Sequence, residues 1–180
     1  DFATLDSIEL INKNWHIVEA DEKLCGLVFL KESLVPSQSP HCPFTDNFRT
    51  NFFDFRNIYR GKGDMAEVVR TDVLRKYKLP KFGDEKFCPE GLMWNRIALD
   101  YDAVYIPKVI YRFEYIEDGF TKNVRRNLRR NAKGISTFFS EIFNHKTRFP
   151  YFLKNSISYW RYAFVNGNGF LANFKKVPFW

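Results

Sequence analysis

The segment Ala103-Val-Tyr-Ile-Pro-Lys-Val-Ile-Tyr-Arg-Phe-Glu-Tyr-Ile116 decides the fold class of this 180-residue chain, because it has the pattern of β-strands. Residues 103–106 are a short apolar run. In residues 109–116 two sets of side chains alternate, so that each set would lie on one face of an extended strand. Two earlier apolar runs, over residues 25–30 and 65–69, predict further strands. We expect a globular chain with a hydrophobic core built around a β-sheet.

Helices are predicted between these strands. A capping pattern that starts at Asp6 predicts a helix that ends near Asn14. Pro89 suits the first turn of a further helix, over residues 90–99. Strands and helices together predict the α/β class, with a partial mixed sheet and flanking helices over residues 1–119.

Beyond Gly119 the spacing of apolar residues becomes helical, which predicts a basic, all-helical extension over residues 120–180. The first predicted helix, over residues 123–133, carries four arginines on neighbouring positions: Arg125, Arg126, Arg129 and Arg130. Two amphipathic stripes follow: Ile135, Phe138, Phe139, Ile142 and Phe143, and then Phe152, Leu153, Ile157, Trp160 and Phe164.

The formal net charge of +7 is concentrated in this extension. Residues 1–119 hold 16 basic and 20 acidic residues, whereas residues 120–180 hold 12 basic residues and one acid, Glu141. Basic residues among aromatic rings suit an anionic membrane surface, where each Lys or Arg contributes about 1 kcal/mol. Single-stranded nucleic acid is the rival partner. It is disfavoured because the predicted strands lie in the acidic half; a solvated basic face over the core is the alternative without a partner.

Several kinds of site are excluded by the residues that they require. The sequence has no GxxxxGK[ST] or GxGxxG phosphate-binding loop and no GxSxG motif, and its three histidines are far apart. Three cysteines without a CxxC pair indicate small buried residues in a reducing cytosol rather than a disulfide scaffold. We expect a cytoplasmic protein, because no signal peptide is recognisable and no stretch approaches the roughly 18 to 20 apolar residues of a spanning helix.

One carboxylate stands out in the remaining sequence. The stretch Phe87-Cys-Pro-Glu-Gly-Leu-Met-Trp-Asn-Arg96 places Glu90 after a loop and at the predicted start of a helix. The helix dipole favours the ionised carboxylate there, which keeps Glu90 available as a base. On residue type alone, the favoured role of Glu90 is to stabilise its own helix.

Three stretches add a resemblance to this reading: Glu67-Val-Val-Arg-Thr-Asp-Val-Leu-Arg-Lys76, Pro89-Glu-Gly-Leu-Met-Trp-Asn-Arg96, and residues 101–111. Together they resemble the second half of the family 2 glycosyltransferases with the GT-A fold. In that family an acidic pair opens a helix, an Arg follows six residues after the second acid, and a strand pair comes next.

Glu90 takes the second acidic position of this pattern, and Arg96 lies six residues later. Pro89 stands where the family has the first acid, which leaves one candidate carboxylate. The resemblance implies that Glu90 is the catalytic base of an inverting sugar transfer. Glu85 is the nearest rival if the register is shifted.

The first residues, Asp1-Phe-Ala-Thr-Leu-Asp-Ser-Ile-Glu9, resemble the run that ends the DxD motif of the same family. The resemblance makes Asp1 the last aspartate of a metal motif. A divalent ion, Mg²⁺ or Mn²⁺, would bridge this aspartate and the diphosphate of a nucleotide sugar. We therefore expect the chain to begin inside the enzyme and to lack most of the nucleotide-binding half.

The resemblance also implies the substrates: a nucleotide-sugar donor and a glycan or lipid-linked acceptor, in the synthesis of surface polysaccharide or glycolipid. On the acceptor side we expect Gly63, Asp64, Trp94 and Arg96. Asp64 would bond sugar hydroxyls and Trp94 would stack on a sugar ring, with core packing as the alternative for Trp94. The four arginines would rest on the inner face of the membrane and bring the site to its acceptor.

Two further expectations concern partners and function. Strand edges left by a missing half would be covered in a homo-oligomer. The alternative to an enzyme is a non-catalytic module that binds a membrane surface or a glycan.

Overall fold

The computed structural model describes residues 1–35, 39–114, 124–147, 149–166, 173–174 and 176. The chain divides into two compact units. We call Asp1–Tyr77 with Ile97–Ile116 the sheet unit, and Lys78–Arg96 with Glu117–Trp180 the helical unit. Residues 78–96, which contain Glu90, thus group with the basic C-terminal helices.

The helices and strands follow one another in a mixed order. They are β1 (Phe2–Ala3), α1 (Ser7–Glu19), β2 (Leu24–Ser33), β3 (Phe48–Thr50), α2 (Phe52–Asn57), β4 (Ala66–Val69), α3 (Thr71–Lys76), α4 (Gly91–Ile97), β5 (Asp102–Phe113), α5 (Val124–Arg130), α6 (Ala132–Glu141) and α7 (Phe149–Val165). A short 3₁₀ helix, Ile142–Asn144, follows α6.

The sheet is mixed and curled, with the strand order β1-β5-β2-β4 and with β3 also paired to β5. β2 and β5 are parallel, from the pair Leu24 and Asp102 to the pair Ser33 and Phe113. β4 is antiparallel to β2, and both β1 and β3 are antiparallel to β5. The predicted α/β class, with a mixed sheet and flanking helices, is confirmed.

Residues 103–106 and residues 109–113, predicted as parts of two strands, belong to the single strand β5; the last two residues of the second predicted strand, Tyr115 and Ile116, lie outside the described residues. Phe29 of β2 pairs with Ile106, and the next residue, Leu30, pairs with Val109. Pro107 and Lys108 are therefore extra residues that bulge out of the ladder. A proline is tolerated at such a bulge because it has no N–H group to give to a neighbouring strand.

Helix α1 packs on the sheet along its length, from Leu10 to Val18. The core that it covers consists of Val18, Leu24, Leu27, Phe29, Val104, Ile106 and Ile110, with Leu10, Ile11, Trp15 and Ile17 packed against it. The prediction that this helix ends near Asn14 is wrong, because Trp15, Ile17 and Val18 gain their contacts with the sheet only if the helix continues to Glu19. Tertiary packing sets its length.

In the helical unit, α6 and α7 pack against each other through small and aromatic side chains. One cluster is formed by Ala132, Ile135 and Tyr162, and a second by Tyr159 and Ala163, with Phe139 packed on both. The rings of Phe139 and Tyr162 are parallel, 6.2 Å apart. Within the described residues, no helix combines the length and the apolar character that crossing a bilayer requires.

The inward face of α7 differs from the stripe predicted for it. Its buried residues are Asn155, Tyr159, Tyr162 and Ala163. Leu153, Ile157 and Phe164, which the sequence analysis grouped with Phe152 and Trp160 on one apolar stripe, are instead 50–61% exposed. Both sides of α7 carry apolar side chains, so the hydrophobic pattern alone does not determine which side is buried.

Candidate functional site

Glu90 lies immediately before α4. Its backbone carbonyl accepts hydrogen bonds from the N–H groups of Met93 (2.9 Å) and Trp94 (3.1 Å), which form the first turn of the helix. Its side chain is exposed and makes no hydrogen bond or ion pair with another residue in the part of the chain that the structure describes. The carboxylate is therefore open to a group from solution.

The loop that precedes Glu90, over residues 82–90, is anchored to the start of α6 by Glu85. One carboxylate oxygen of Glu85 accepts from the N–H of Lys133 and the other from the N–H of Gly134, both at 2.8 Å. These two N–H groups belong to the first turn of α6 and have no acceptor within the helix. Glu85 therefore caps α6 from 48 residues away in the sequence.

Asn131 anchors the same loop from the other side. Its side-chain oxygen accepts from the backbone N–H groups of Lys86 (2.8 Å) and Phe87 (2.9 Å). Asn131 itself is only 7% exposed, and both hydrogen bonds are partly buried. Glu85 of the loop thus accepts hydrogen bonds from α6, and Asn131, immediately before α6, accepts hydrogen bonds from the loop. This reciprocal pair of contacts fixes the segment that leads into Glu90.

Arg96, at the other end of α4, forms a bidentate ion pair with Glu141 of α6. Its Nε and Nη2 atoms each lie 2.7 Å from a carboxylate oxygen, and both side chains are half-buried. The hydrogen bonds to Glu141 raise the pKa of Arg96 above its ordinary value. Most donors of the guanidinium are thus engaged within the protein, while its role in binding an acceptor stays a prediction.

Helix α4 also touches α6 through its first residue. A Cβ atom added to Gly91 would lie 2.9 Å from Cε2 of Phe138, so a larger residue there would have to displace the Phe138 ring. Leu92 is completely buried and Trp94 is half-buried on the same short helix. The structure therefore brings three predicted site residues, Glu90, Trp94 and Arg96, onto one helix and the residue before it.

The other predicted acceptor residues, Gly63 and Asp64, are neighbours in an exposed loop of the sheet unit. Gly63 has a positive φ of 76°, and a Cβ atom there would come within 2.7 Å of the Cβ of Pro40. Glycine is therefore required at position 63 for the conformation of this loop. The side chain of Asp64 is exposed.

Asp1, the predicted metal ligand, is an exposed residue next to the edge strand β1. Among the described residues, no group of three or more His, Cys, Asp or Glu side chains is arranged to hold a metal ion. Mg²⁺ is commonly held by one or two carboxylates together with substrate phosphates and water, so Asp1 would supply one of its oxygen ligands.

Glu67 is a titratable residue that the sequence analysis did not single out as a site. It lies in β4 between Ala66 and Val68, which pack against the core, so its side chain lies on the opposite face of the sheet. Burial raises the pKa of Glu67 to about 7, although Lys31 and Arg56 act to lower it. The charged residue in the middle of a predicted strand was the signal that could have identified it.

Three of the four arginines predicted to lie on a membrane surface have described side chains. Arg126, Arg129 and Arg130 are exposed on α5, and no ion pair between described residues uses them. The side chain of Arg125 lies outside the described part, although its backbone belongs to α5. The helical unit therefore presents several arginine charges to solvent.

Comparison with known proteins adds no assignment: no protein-family model matches the chain, and no curated protein or solved structure matches it.

Proposed function

We propose that this chain contributes the acceptor side of an inverting glycosyltransferase, similar to family 2, with Glu90 as the general base. The observation that carries the proposal is the environment of Glu90. Its carboxylate is exposed and unpaired among the described residues, on a loop that hydrogen bonds of Glu85 and Asn131 anchor to α6. This arrangement supports a role as a base, because the neighbouring residues position the loop and leave the carboxylate of Glu90 without a hydrogen-bond partner among the described residues.

The proposed reaction needs one proton acceptor. Glu90 takes the proton from an acceptor hydroxyl while that oxygen forms a bond to the anomeric carbon of the donor sugar. The bond from the anomeric carbon to the nucleotide diphosphate breaks on the opposite face, and the diphosphate leaves with the electron pair. The product is a glycoside of inverted configuration, and the proton ends on Glu90 before it passes to water.

The residues around Glu90 take supporting roles in this proposal. Arg96 is a positioning residue, because its ion pair with Glu141 ties the end of α4 to α6. Trp94 is the candidate for stacking on a sugar ring. Gly63 and Asp64 are proposed to contribute to acceptor binding, with Asp64 accepting from sugar hydroxyls. The donor is proposed to be a nucleotide sugar, with Mg²⁺ or Mn²⁺ and Asp1 involved only on the strength of the family resemblance.

The test compares Glu90→Gln with Asp84→Asn in the intact protein, with a panel of nucleotide sugars and Mn²⁺. Both substitutions remove an exposed carboxylate from the same loop, so they change charge and local structure to a similar extent. We expect Glu90→Gln to lower the transfer rate by about 10² to 10⁴ and Asp84→Asn to leave it unchanged. Equal rates for Glu90→Gln and wild type would reject Glu90 as the base.

The second candidate function is a non-catalytic module that binds a membrane surface or a glycan. It is favoured by the exposed apolar residues of α7, which a soluble enzyme does not require. Under this candidate the protein binds its partner normally and shows no transfer with any donor. Protein that binds vesicles and has no Glu90-dependent activity would therefore favour the module over the enzyme.

A further inference from the structure

Helix α7 exposes a continuous apolar stripe. In the helical unit, the large hydrophobic side chains that are strongly exposed all lie on this helix, as far as the structure describes the unit. Four of them make up the stripe: Phe149 (77% exposed), Leu153 (50%), Ile157 (55%) and Phe164 (61%). At 3.6 residues per turn they fall within an arc of about 80° on the helix surface.

The stripe is separate from the face that holds α7 in the protein. Asn155, Tyr159, Tyr162 and Ala163 lie on the other side of the helix and are buried. The hydroxyl of Tyr159 donates to the carbonyl of Asn173 at 2.9 Å, which fixes the rotation of the helix about its own axis. The apolar stripe is therefore held facing outward by packing.

The border of the stripe is basic. Lys154 and Arg161 are exposed and lie three residues before and four residues after Ile157, on the same side of the helix. Helix α7 contains no acidic residue. Glu141, the one acid of residues 120–180, is engaged by Arg96. The chemistry of the whole face is thus apolar with a cationic edge.

We propose that α7 is an interfacial anchor that lies on an anionic bilayer, with the stripe inserted among the upper acyl chains and Lys154 and Arg161 at the phosphates. An apolar face with basic residues beside it is the surface that anionic lipid complements. A second copy of the chain complements it less well, because a symmetric contact would bring the cationic edges of both copies together. The exposed arginines of α5 belong to the same unit and add positive charge. This inference does not depend on glycosyl transfer.

The test measures binding of the 180-residue chain to vesicles of phosphatidylcholine with phosphatidylserine, and to vesicles of phosphatidylcholine alone. The stripe variant is Leu153→Ser with Ile157→Ser. Its matched control is Leu5→Ser with Ile8→Ser, because Leu5 and Ile8 are also strongly exposed, at 108% and 68%, but lie in the sheet unit. Circular dichroism checks that both variants keep their helices.

We expect wild type and the control to bind the anionic vesicles, and the stripe variant to have a partition coefficient about tenfold to a hundredfold lower. Lys154→Gln with Arg161→Gln should lower the preference for anionic vesicles by roughly fivefold for each charge removed. Equal binding of the stripe variant and wild type would overturn the anchor. So would binding that is the same with and without phosphatidylserine.

A gel-filtration series without lipid tests the competing occupant. If wild type forms a dimer that the stripe variant dissociates, and wild type does not bind vesicles, a second copy covers the stripe and the proposal is wrong. A monomer that binds anionic vesicles through the stripe supports it. Binding to single-stranded nucleic acid in place of vesicles, lost in the stripe variant, would likewise overturn it.

Discussion

In the sheet unit, carboxylates pair with arginines on the surface, whereas in the helical unit they bind backbone N–H groups and a half-buried guanidinium. Arg49 pairs with Asp21 and Asp102, and Arg112 with Glu32, through side chains that are 35–48% exposed. Glu85 instead caps α6, and Glu141 holds Arg96. Similar ion-pair distances thus accompany a lower exposure in the helical unit, where the side chains of Arg96 and Glu141 are 29% and 25% exposed.

The difference between the two units shows that acidic residues of the basic helical unit can connect its segments to one another. The helical unit has four acids among its described residues: Asp84, Glu85, Glu90 and Glu141. Two of them connect the loop and helix α4 to α6, and the other two are exposed. Exposed ion pairs contribute little, whereas removal of Glu85 or Glu141 leaves backbone N–H groups or a half-buried guanidinium without an acceptor, so we expect a larger loss of stability in the helical unit.

The largest effect is expected from Glu85→Ala. This substitution leaves two N–H groups of α6 without an acceptor and frees the loop before Glu90, so we expect unfolding to require about 3 kcal/mol less free energy. Urea denaturation measures the change. The control is Asp84→Ala, which removes the neighbouring exposed acid. If both variants lose the same stability, Glu85 is not a cap and the contrast between the units fails.

The next effect concerns Glu67, the exception among the acids of the sheet unit because burial raises its pKa to about 7. A carboxyl with a raised pKa in the folded state contributes stability that is complete below its unfolded pKa and is lost as pH rises through about 7. We expect wild type to lose about 2 kcal/mol more than Glu67→Gln as the pH is raised from about 4.5 to about 8. Urea midpoints at the two pH values measure this. Parallel pH profiles for the two proteins would contradict it.

A smaller effect is expected from the pair of Arg96 and Glu141. A double-mutant cycle with Arg96→Ala and Glu141→Ala should give a coupling free energy of about 1 to 2 kcal/mol, because the pair is bidentate and half-buried. Under the proposed function, Glu141→Ala should also lower the transfer rate without any contact with substrate. A coupling near zero would make this pair equivalent to the surface pairs of the sheet unit.

The smallest effect is expected from the pair of Arg112 and Glu32, which serves as the reference. Its side chains lie 2.8 Å apart and are nearly half exposed. The same kind of cycle, with Arg112→Ala and Glu32→Ala, should give about 0.5 kcal/mol or less, and added salt should reduce it further. A larger coupling here than between Arg96 and Glu141 would reverse the comparison.

The sequence predicted the sheet better than the lengths of its elements. Strands β2, β4 and β5 follow from runs of apolar and β-branched residues, and their class is correct. The break expected at Pro107 is a bulge, because the parallel neighbour β2 continues past it. Helix α1 is longer than predicted because the sheet supplies contacts that a local pattern does not contain.

The surroundings of Glu90 could be predicted only in part. The proline and the apolar spacing predicted a helix over residues 90–99, and the structure has a helix there, from Gly91 to Ile97. The partners of Glu85 and Arg96 lie more than 40 residues away in the sequence, in helix α6. Contacts of this range depend on how the helices pack, which hydrophobic periodicity does not specify.

The hydrogen bonds between the loop and Asn131 can form only late in the synthesis of this region. Lys86 leaves the ribosome 45 residues before its partner Asn131, so the loop is made well before the helix that holds it. At about 5 to 20 residues per second this interval lasts roughly two to nine seconds. During this interval the segment that contains Glu90 has been synthesised but cannot yet form its hydrogen bonds with Asn131. A stop codon anywhere before Asn131 would leave it without its anchor permanently.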